Sequence, residues 1–259
     1  MPPAEPRVRP LLEGASLNSD RGGFAFCGVV LVEAADRDGQ LRRVVVDTGH
    51  IGTRRRLQAA LAEAGLSPED IDVVALTHAH WDHSQNVDVF PAAEIVVSAA
   101  ELAYIERPHA RDFATPAWTK YLFAERRIRA VADGDEVLPG LSVVAVPGHS
   151  AGSVAYAVGQ AGGTTVISGD ALPTADAARL RQARLVFWDL DQAAASAARL
   201  ADLADLVYPG HDRPFRLAGG ETEYLTPFGF TLTGVAPDDP GLRIEAPAPF
   251  GGPEDLTPP

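Results

Sequence analysis

The chain has 259 residues with a formal net charge of −13, 46% apolar and 22% charged residues, ordinary proportions for a soluble globular protein. The acidity disfavours a nucleic-acid partner, which would draw on clustered Lys and Arg, and the lone Cys27 excludes an intrachain disulfide framework. No apolar run reaches the ~20 residues of a membrane span, and residues 1–6 lack the apolar centre of a secretory signal, so a cytoplasmic, non-membrane protein is expected.

Taken in chain order, residues 1–22 carry Pro, Gly and charge without periodicity and read as an arm or a loosely paired edge. Residues 24–32 are apolar and β-branched and predict a strand, with Cys27 as a small buried hydrophobe inside it. A turn at 36–39 returns the chain to a partner strand at 44–46, which ends at Asp47-Thr48-Gly49. A helix follows with Thr53 as N-cap and Leu57, Leu61 and Ala64 on one face, closed by Gly65. Ser67-Pro68-Glu69-Asp70 opens a helical turn. Residues 73–76 form a buried strand running into Thr77-His78-Ala79-His80-Trp81-Asp82-His83, followed by a strand at 95–97 and a helix at 99–106.

Residues 107–126 are irregular or helical and contain Phe113, Trp118, Tyr121 and Phe123. Strands return near 128 and at 141–146, 154–158 and 164–167. A helix at 193–206 feeds a last strand at 206–208, which ends in Pro209-Gly210-His211. The tail is rich in Pro and Gly with strand-like pieces at 230–233 and 242–245, and a tail this poor in periodicity wraps a surface or disorders. The expected organisation is an N-terminal arm at 1–22, one domain at 23–217 and a tail at 218–259. Strands punctuated by helices in both halves predict an α/β fold of two face-to-face sheets with helices outside.

The chemistry concentrates in His78-Ala79-His80-Trp81-Asp82-His83. Residues two apart in an extended segment point the same way, so His78 and His80 can grip one ion. If the chain then turns into a helix, Asp82 and His83 address a second position. Imidazole suits zinc, iron and related ions, and carboxylate adds neutralising charge. Three later sites share the same context, a metal-ligating residue just past an apolar strand with a Gly beside it: His149, Asp170 and His211. His109 reads as a surface residue, and so does His50, with a place beside the site as its alternative. Arg54-Arg55-Arg56 and the cluster Arg126, Arg127 and Arg129, the latter near the presumptive mouth, read as solvated faces.

The series H-x-H-x-D-H, then G-H, G-D and a second G-H, resembles the metallo-β-lactamase superfamily over roughly residues 24–217. The resemblance implies an αβ/βα four-layer sandwich with metals at one edge. It assigns His78, His80 and His149 to a first metal, Asp82, His83 and His211 to a second, and Asp170 to a bridge between them. Asp47, in the family's D-T-G position, would orient the metal loop from behind. The implied cofactors are two divalent metal ions, zinc ahead of iron or manganese. A metal-bridging hydroxide would then attack an electrophilic carbonyl or phosphorus, and Asp82 could carry the proton to the leaving group.

Departures from named subfamilies narrow the expected activity. The β-lactamases of this fold lack a bridging aspartate, so Asp170 argues against antibiotic hydrolysis. The homoserine-lactone lactonases carry a Tyr three residues after that Asp, where this chain has Pro173. No helical glutathione domain and no RNA-grasping insertion is legible. The Pro209–Phe215 ending is similar to that of compact members, some of them nucleases. The favoured reading is hydrolysis of a small ester, thioester or lactone, with Trp81 and the aromatics of 113–123, Phe113, Trp118, Tyr121 and Phe123, as an apolar substrate wall. The alternatives are a phosphodiesterase or nuclease and an iron-dependent redox protein. The expected partner is a small molecule, with a homodimer left open.

Overall fold

Val29 and Leu31 face one way along their strand and Val30 and Val32 the other, and all four are at most 2% exposed. A strand apolar on both faces belongs inside a layered sandwich, where helices cover one side of the sheet and a second sheet covers the other. The computed structural model, which describes residues 5–19, 22–233, 241–244, 254–255 and 257, shows this arrangement.

The first half runs β1 (Arg7–Leu12), β2 (Ala15–Ser19), β3 (Gly22–Phe26), β4 (Val29–Ala35), β5 (Leu41–Val46), α1 (Arg54–Glu63), β6 (Val73–Ala75), α2 (Trp81–Ser84), β7 (Glu94–Ser98), α3 (Ala99–Tyr104) and β8 (Ile128–Val131). The second runs β9 (Glu136–Leu138), β10 (Leu141–Ala145), β11 (Val154–Gln160), β12 (Gly163–Gly169), α4 (Ala175–Leu180), β13 (Leu185–Val186), α5 (Leu190–Leu203), β14 (Leu206–Pro209), β15 (Phe215–Ala218), β16 (Glu221–Tyr224), β17 (Phe230–Leu232), β18 (Leu242–Ile244) and β19 (Glu254–Asp255). A six-stranded sheet is ordered β1-β4-β5-β6-β7-β8, and a seven-stranded sheet β16-β15-β14-β12-β11-β10-β9.

The two sheets meet through Val30, Val32, Val44, Val46 and Val96 on one side and Val143, Tyr156, Val158 and Ile167 on the other. Leu57 and Leu61 of α1 cover the outer face of the first sheet together with Phe90. Ala197 and Leu200 of α5 cover the outer face of the second. Four layers result, as the sequence predicts.

Topology brings the expected ligands to one edge. Strands β5, β6, β7 and β8 are mutually parallel. In the other sheet β10 and β12 both run antiparallel to β11, and β14 runs parallel to β12. The segments that follow β5, β6, β10, β12 and β14 therefore leave their sheets at strand C-termini, the side where α/β sheets place ligands. Tyr156 ties the two sheets there by donating its hydroxyl proton to the Leu76 carbonyl at 2.8 Å.

Several expectations change in detail. The predicted strand at 24–32 is broken at Cys27-Gly28 into the end of β3 and the start of β4; the Gly28 N–H donates to the Gly210 carbonyl instead. Of the two readings of residues 1–22, an arm or a loosely paired edge, β1 takes the second, antiparallel to β4, and β2 forms a hairpin with β3. Strand pairing crosses residue 217 as well, because β15 and β16 form a hairpin. Thr53 stands at the N-cap of α1, but its hydroxyl donates to the His50 carbonyl rather than capping. In the tail, β17 pairs with β18 and β19 pairs with β13. Residues 1–4, 20–21, 234–240, 245–253, 256 and 258–259 of the expected arm and tail lie outside the described residues. Among the described residues no helix is long and apolar enough to cross a membrane.

Candidate metal centre

The short helix α2 begins directly after His80, so the extended pair His78 and His80 gives way to helical Asp82 and His83 within one motif. The structure brings all seven expected ligands together in overlapping triads: His78, His80 and His149; His78, His83 and Asp170; and Asp82, His83 and His211. Within each triad the ligand atoms lie within 4.8 Å of one another. Asp170 sits at the middle, with Oδ1 3.3 Å from His83 Nε2 and Oδ2 3.4 and 3.2 Å from the Nε2 atoms of His149 and His211. His211 Nε2 also lies 3.4 Å from Asp82 Oδ2.

Two glycines make this convergence possible. Gly169 takes φ +50°, and a Cβ there would meet Thr77 Oγ1 at 2.5 Å. A Cβ on Gly210 would meet Asp170 Oδ1 at 2.0 Å, so the last two ligand loops can touch only without side chains at these positions.

Each imidazole uses one ring nitrogen for the protein and turns the other inward. His83 Nδ1 faces Asp47 Oδ2 at 2.8 Å and His78 Nδ1 faces Thr77 Oγ1 at 3.0 Å. His149 Nδ1 faces the Leu185 carbonyl, and His211 Nδ1 the Phe26 carbonyl at 3.2 Å. His80 is reversed: Nδ1 points to His149 Nε2 at 2.9 Å and Nε2 to Asp112 Oδ1 at 3.5 Å. The inward Nε2 atoms of His78 and His83 and Oδ1 of Asp170 are buried without a hydrogen-bond partner. Buried orphan acceptors are costly unless something pairs with them, and imidazole nitrogens and carboxylate oxygens are metal-ligating donors. The residues fit bound metal.

The electrostatics agree. Burial, reinforced by the neighbouring His83, His80 and His149, pushes His78 well below the ordinary imidazole value, and burial pushes His149 down to about 4. Both are neutral lone-pair donors at pH 7. Burial would raise Asp170, but His211, His83 and His149 outweigh it and hold the carboxyl well below its usual range. For His211, burial is outweighed by Asp170 and Asp82, which raise it. A proton on His211 would sit between two carboxylates, in the place a cation would take.

Supporting residues account for the rigidity. Asp47 holds a left-handed φ of 57° at the end of β5, strain of a kind that concentrates at functional sites. Its carboxylate accepts from Thr77 N and Thr77 Oγ1, both at 2.8 Å, besides facing His83. Sequence reasoning missed two other carboxylates. Asp112 accepts from Tyr104 Oη at 2.8 Å and from the N–H groups of Ala114 and Thr115, and it stands behind His80. Glu101 of α3, fully buried, accepts from Ala79 N at 2.9 Å, Gly152 N at 2.9 Å and Ser150 Oγ, and so joins the His78–His80 segment to the His149 loop. Neither adjoins a motif in sequence, and only the fold carries them to the site.

Beside the ligands lies a cavity of about 420 Å³, lined by Asp82, His149, Asp170 and His211 together with Leu17, Trp81, Phe113, Pro173, Arg184 and Phe187. Of the expected wall residues Trp81 and Phe113 line it. Phe123 is 8% exposed and packs in the core under the first sheet, while Trp118 and Tyr121 are 40% and 69% exposed and face solvent. The wall is built by Phe187, which packs edge-on against His80 and His149 at centroid distances of 5.0 and 5.5 Å, and by Phe113 against it at 5.2 Å.

The two histidines read as surface residues are half-buried and structural. His50 stacks on Phe26 and meets the edge of Trp81 at 5.2 Å, and His109 Nε2 bonds the Phe187 carbonyl. The Arg126, Arg127 and Arg129 cluster lies at the start of β8, away from the ligand edge. There it bonds the Phe90 and Ala92 carbonyls and Glu94. Cys27 is buried as expected, and burial pushes its thiol up.

Residues 22–211 match the family model of the metallo-beta-lactamase superfamily. The chain is 33% identical over 226 residues to human metallo-beta-lactamase domain-containing protein 1, covering 83% of this chain and 74% of that protein. It is 26% identical over 167 residues to an N-acyl homoserine lactonase of Bacillus sp, covering 61% of this chain and 62% of that protein. Its fold superposes with a TM-score of 0.63 on the solved structure of an N-acyl homoserine lactone hydrolase that holds the product N-hexanoyl-L-homoserine at its catalytic metal center. That likeness has 17% identity and covers 82% of this chain and 94% of the other. The chain belongs to the metallo-β-lactamase superfamily and is a metal-dependent hydrolase of it.

Proposed function

We propose that this chain hydrolyses small carboxylic esters, thioesters or lactones at a two-metal centre. His78, His80 and His149 would hold one ion, Asp82, His83 and His211 the other, with Asp170 between them. The observation that carries the substrate class is the 420 Å³ cavity over these residues, walled by Leu17, Trp81, Phe113 and Phe187. Its size suits a small molecule and its wall suits an acyl chain. A nucleic-acid strand would call for a basic, aromatic groove, and Arg184 is the single Lys or Arg in the lining.

When bound, divalent metal ions supply Lewis acidity and a water acidified towards neutrality, with zinc the first choice and iron or manganese the alternatives. The protein does the rest. Phe187 and Trp81 exclude solvent from the acyl side. Asp47, Thr77 and Asp112 keep the imidazoles in the required orientation from behind. Asp82, which lines the cavity, would pass a proton to the leaving group. The lactone hydrolase that shares the fold supports the lactone arm of this reading. Pro173, in the wall where the lactonases carry Tyr, favours other lactones and esters over homoserine lactones.

The test is a panel of thioesters, aryl esters and lactones, with bis(p-nitrophenyl) phosphate as the phosphodiester, against protein reconstituted with zinc, iron or manganese. Turnover of an acyl substrate is expected, abolished by a chelator. Phosphodiester cleavage with silence on every acyl substrate would replace this reading. Replacing Asp82 with Asn should lower kcat at full metal content, and unchanged turnover would remove its proton-transfer role.

A further inference from the structure

Arg184 stands out in the cavity. It is half-buried beside an apolar wall, and among the described residues it makes no hydrogen bond and no ion pair. Several arginines of this acidic chain are neutralised, Arg43 by Glu33 at 3.2 Å, Arg129 by Glu94 at 3.0 Å and Arg181 by Asp202, and what distinguishes Arg184 among those that are not is its place in the lining of this cavity. A guanidinium held at an apolar surface without a partner leaves its planar donor fork available, and that fork matches a carboxylate bidentately.

Its position is fixed by the chain on its C-terminal side. The carbonyl of the next residue, Leu185, receives His149 Nδ1, and Phe187 two residues further packs on His80 and His149. Leu185 and Val186 form β13, which pairs with β19. The cavity therefore carries two kinds of group. The ligand set would hold cations against the carboxylates of Asp82 and Asp170, and Arg184, unneutralised, lines the same cavity alongside Phe113 and Phe187.

We propose that Arg184 is the specificity-determining residue of this cavity and that the substrate is an acyl ester, thioester or lactone bearing a second, anionic group, a carboxylate, that Arg184 binds. The inference rests on the acyl-hydrolase reading above and adds the charge of the substrate to it. Hydrolysis then bonds a water oxygen to the acyl carbon as its C–O or C–S bond breaks, leaving a dicarboxylate and a free alcohol or thiol, or a single hydroxy dicarboxylate from a lactone.

Two measurements on metal-loaded protein test it. In the first, kcat/KM is compared for p-nitrophenyl butanoate and the p-nitrophenyl monoester of succinic acid. The wild type should prefer the anionic ester by about tenfold or more, the worth of one charged hydrogen-bonded contact. In Arg184→Gln that ratio should collapse towards one, and Arg184→Lys should keep part of it. Because each ratio is taken within one protein, altered metal content or partial misfolding cancels.

In the second, calorimetry compares glutarate with butanoate as ligands of the wild type and Arg184→Gln. Glutarate should bind the wild type about tenfold or more tighter, and lose that advantage in the variant. If neither ester is hydrolysed but the glutarate advantage depends on Arg184, the anion site stands and the ester chemistry falls. If the wild type shows no preference for either anionic compound, or Arg184→Gln retains it, Arg184 is not an anion anchor.

Discussion

At the ligand edge each of five histidines has one ring nitrogen directed at a protein group, and three buried carboxylates, Asp47, Asp112 and Glu101, stand behind them. The segment 107–126, which sends Phe113 to the cavity, is made otherwise. Phe113 is 66% exposed, Trp118 40% and Tyr121 69%, and the segment's regular structure is the single short helix Thr119–Phe123. The edge is over-determined and this segment is not. A scaffold of this kind fixes the reaction in its packed layers and leaves the choice of substrate to loops, which tolerate change.

The contrast can be broken most forcefully at its centre. Asp170→Ala removes the carboxylate shared among His83, His149 and His211, and should lower kcat/KM by ~10³-fold or more with loss of bound metal. Steady-state kinetics with elemental analysis checks both. Glu101→Ala strands two buried N–H groups and a hydroxyl between two ligand loops. It should cost about 3 kcal/mol, a fall in Tm of roughly 6–12 °C on thermal denaturation. An unchanged Tm would show that the two loops hold their places without it. Asp47→Asn should weaken metal affinity by about 10- to 100-fold in a competition titration with a chromogenic chelator, since His83 loses its carboxylate partner.

A pH titration sharpens the same comparison. The folded His149 value of about 4 lies below the unfolded value of about 6.5. The unfolded chain of the metal-free protein therefore binds this proton first, and the stability owed to neutral His149 is lost as pH falls from about 6.5 towards 4. Imidazole NMR of the metal-free protein should show His149 titrating near 4, and a midpoint near 6.5 would contradict the burial of its ring. The smallest effect is expected at the exposed aromatics of the 107–126 segment. Trp118→Ala and Tyr121→Ala should change kcat/KM by less than about 2-fold, and a tenfold loss in either would return that segment to the substrate wall.

Much of the edge was legible in the sequence because its residues announce themselves locally. Three histidines and an aspartate within six positions have no packing explanation, and His149, Asp170 and His211 each follow an apolar strand beside a Gly. The sandwich was legible for a similar reason: runs such as 29–32 are apolar on both faces, which only a covered sheet permits. The cavity wall was not. Arg184 and Phe187 flank a two-residue strand with no periodicity to mark it, and Trp118 and Tyr121 carry the same side-chain chemistry as wall residues without the placement. Asp112 and Glu101 look like any surface acid until the fold delivers them to His80 and Ala79. The hairpin β15–β16 was missed because Arg216 and Glu223 interrupt the apolar pattern on an exposed edge.

The most direct trial of the account is a metal titration of the chelator-treated protein, followed by calorimetry and elemental analysis, in the wild type and in Asp170→Ala. Two divalent ions per wild-type chain, with hydrolytic activity returning as they bind and both responses diminished in the variant, is the predicted result. Binding of no more than one ion, or acyl hydrolysis that persists at full rate without metal, would contradict it.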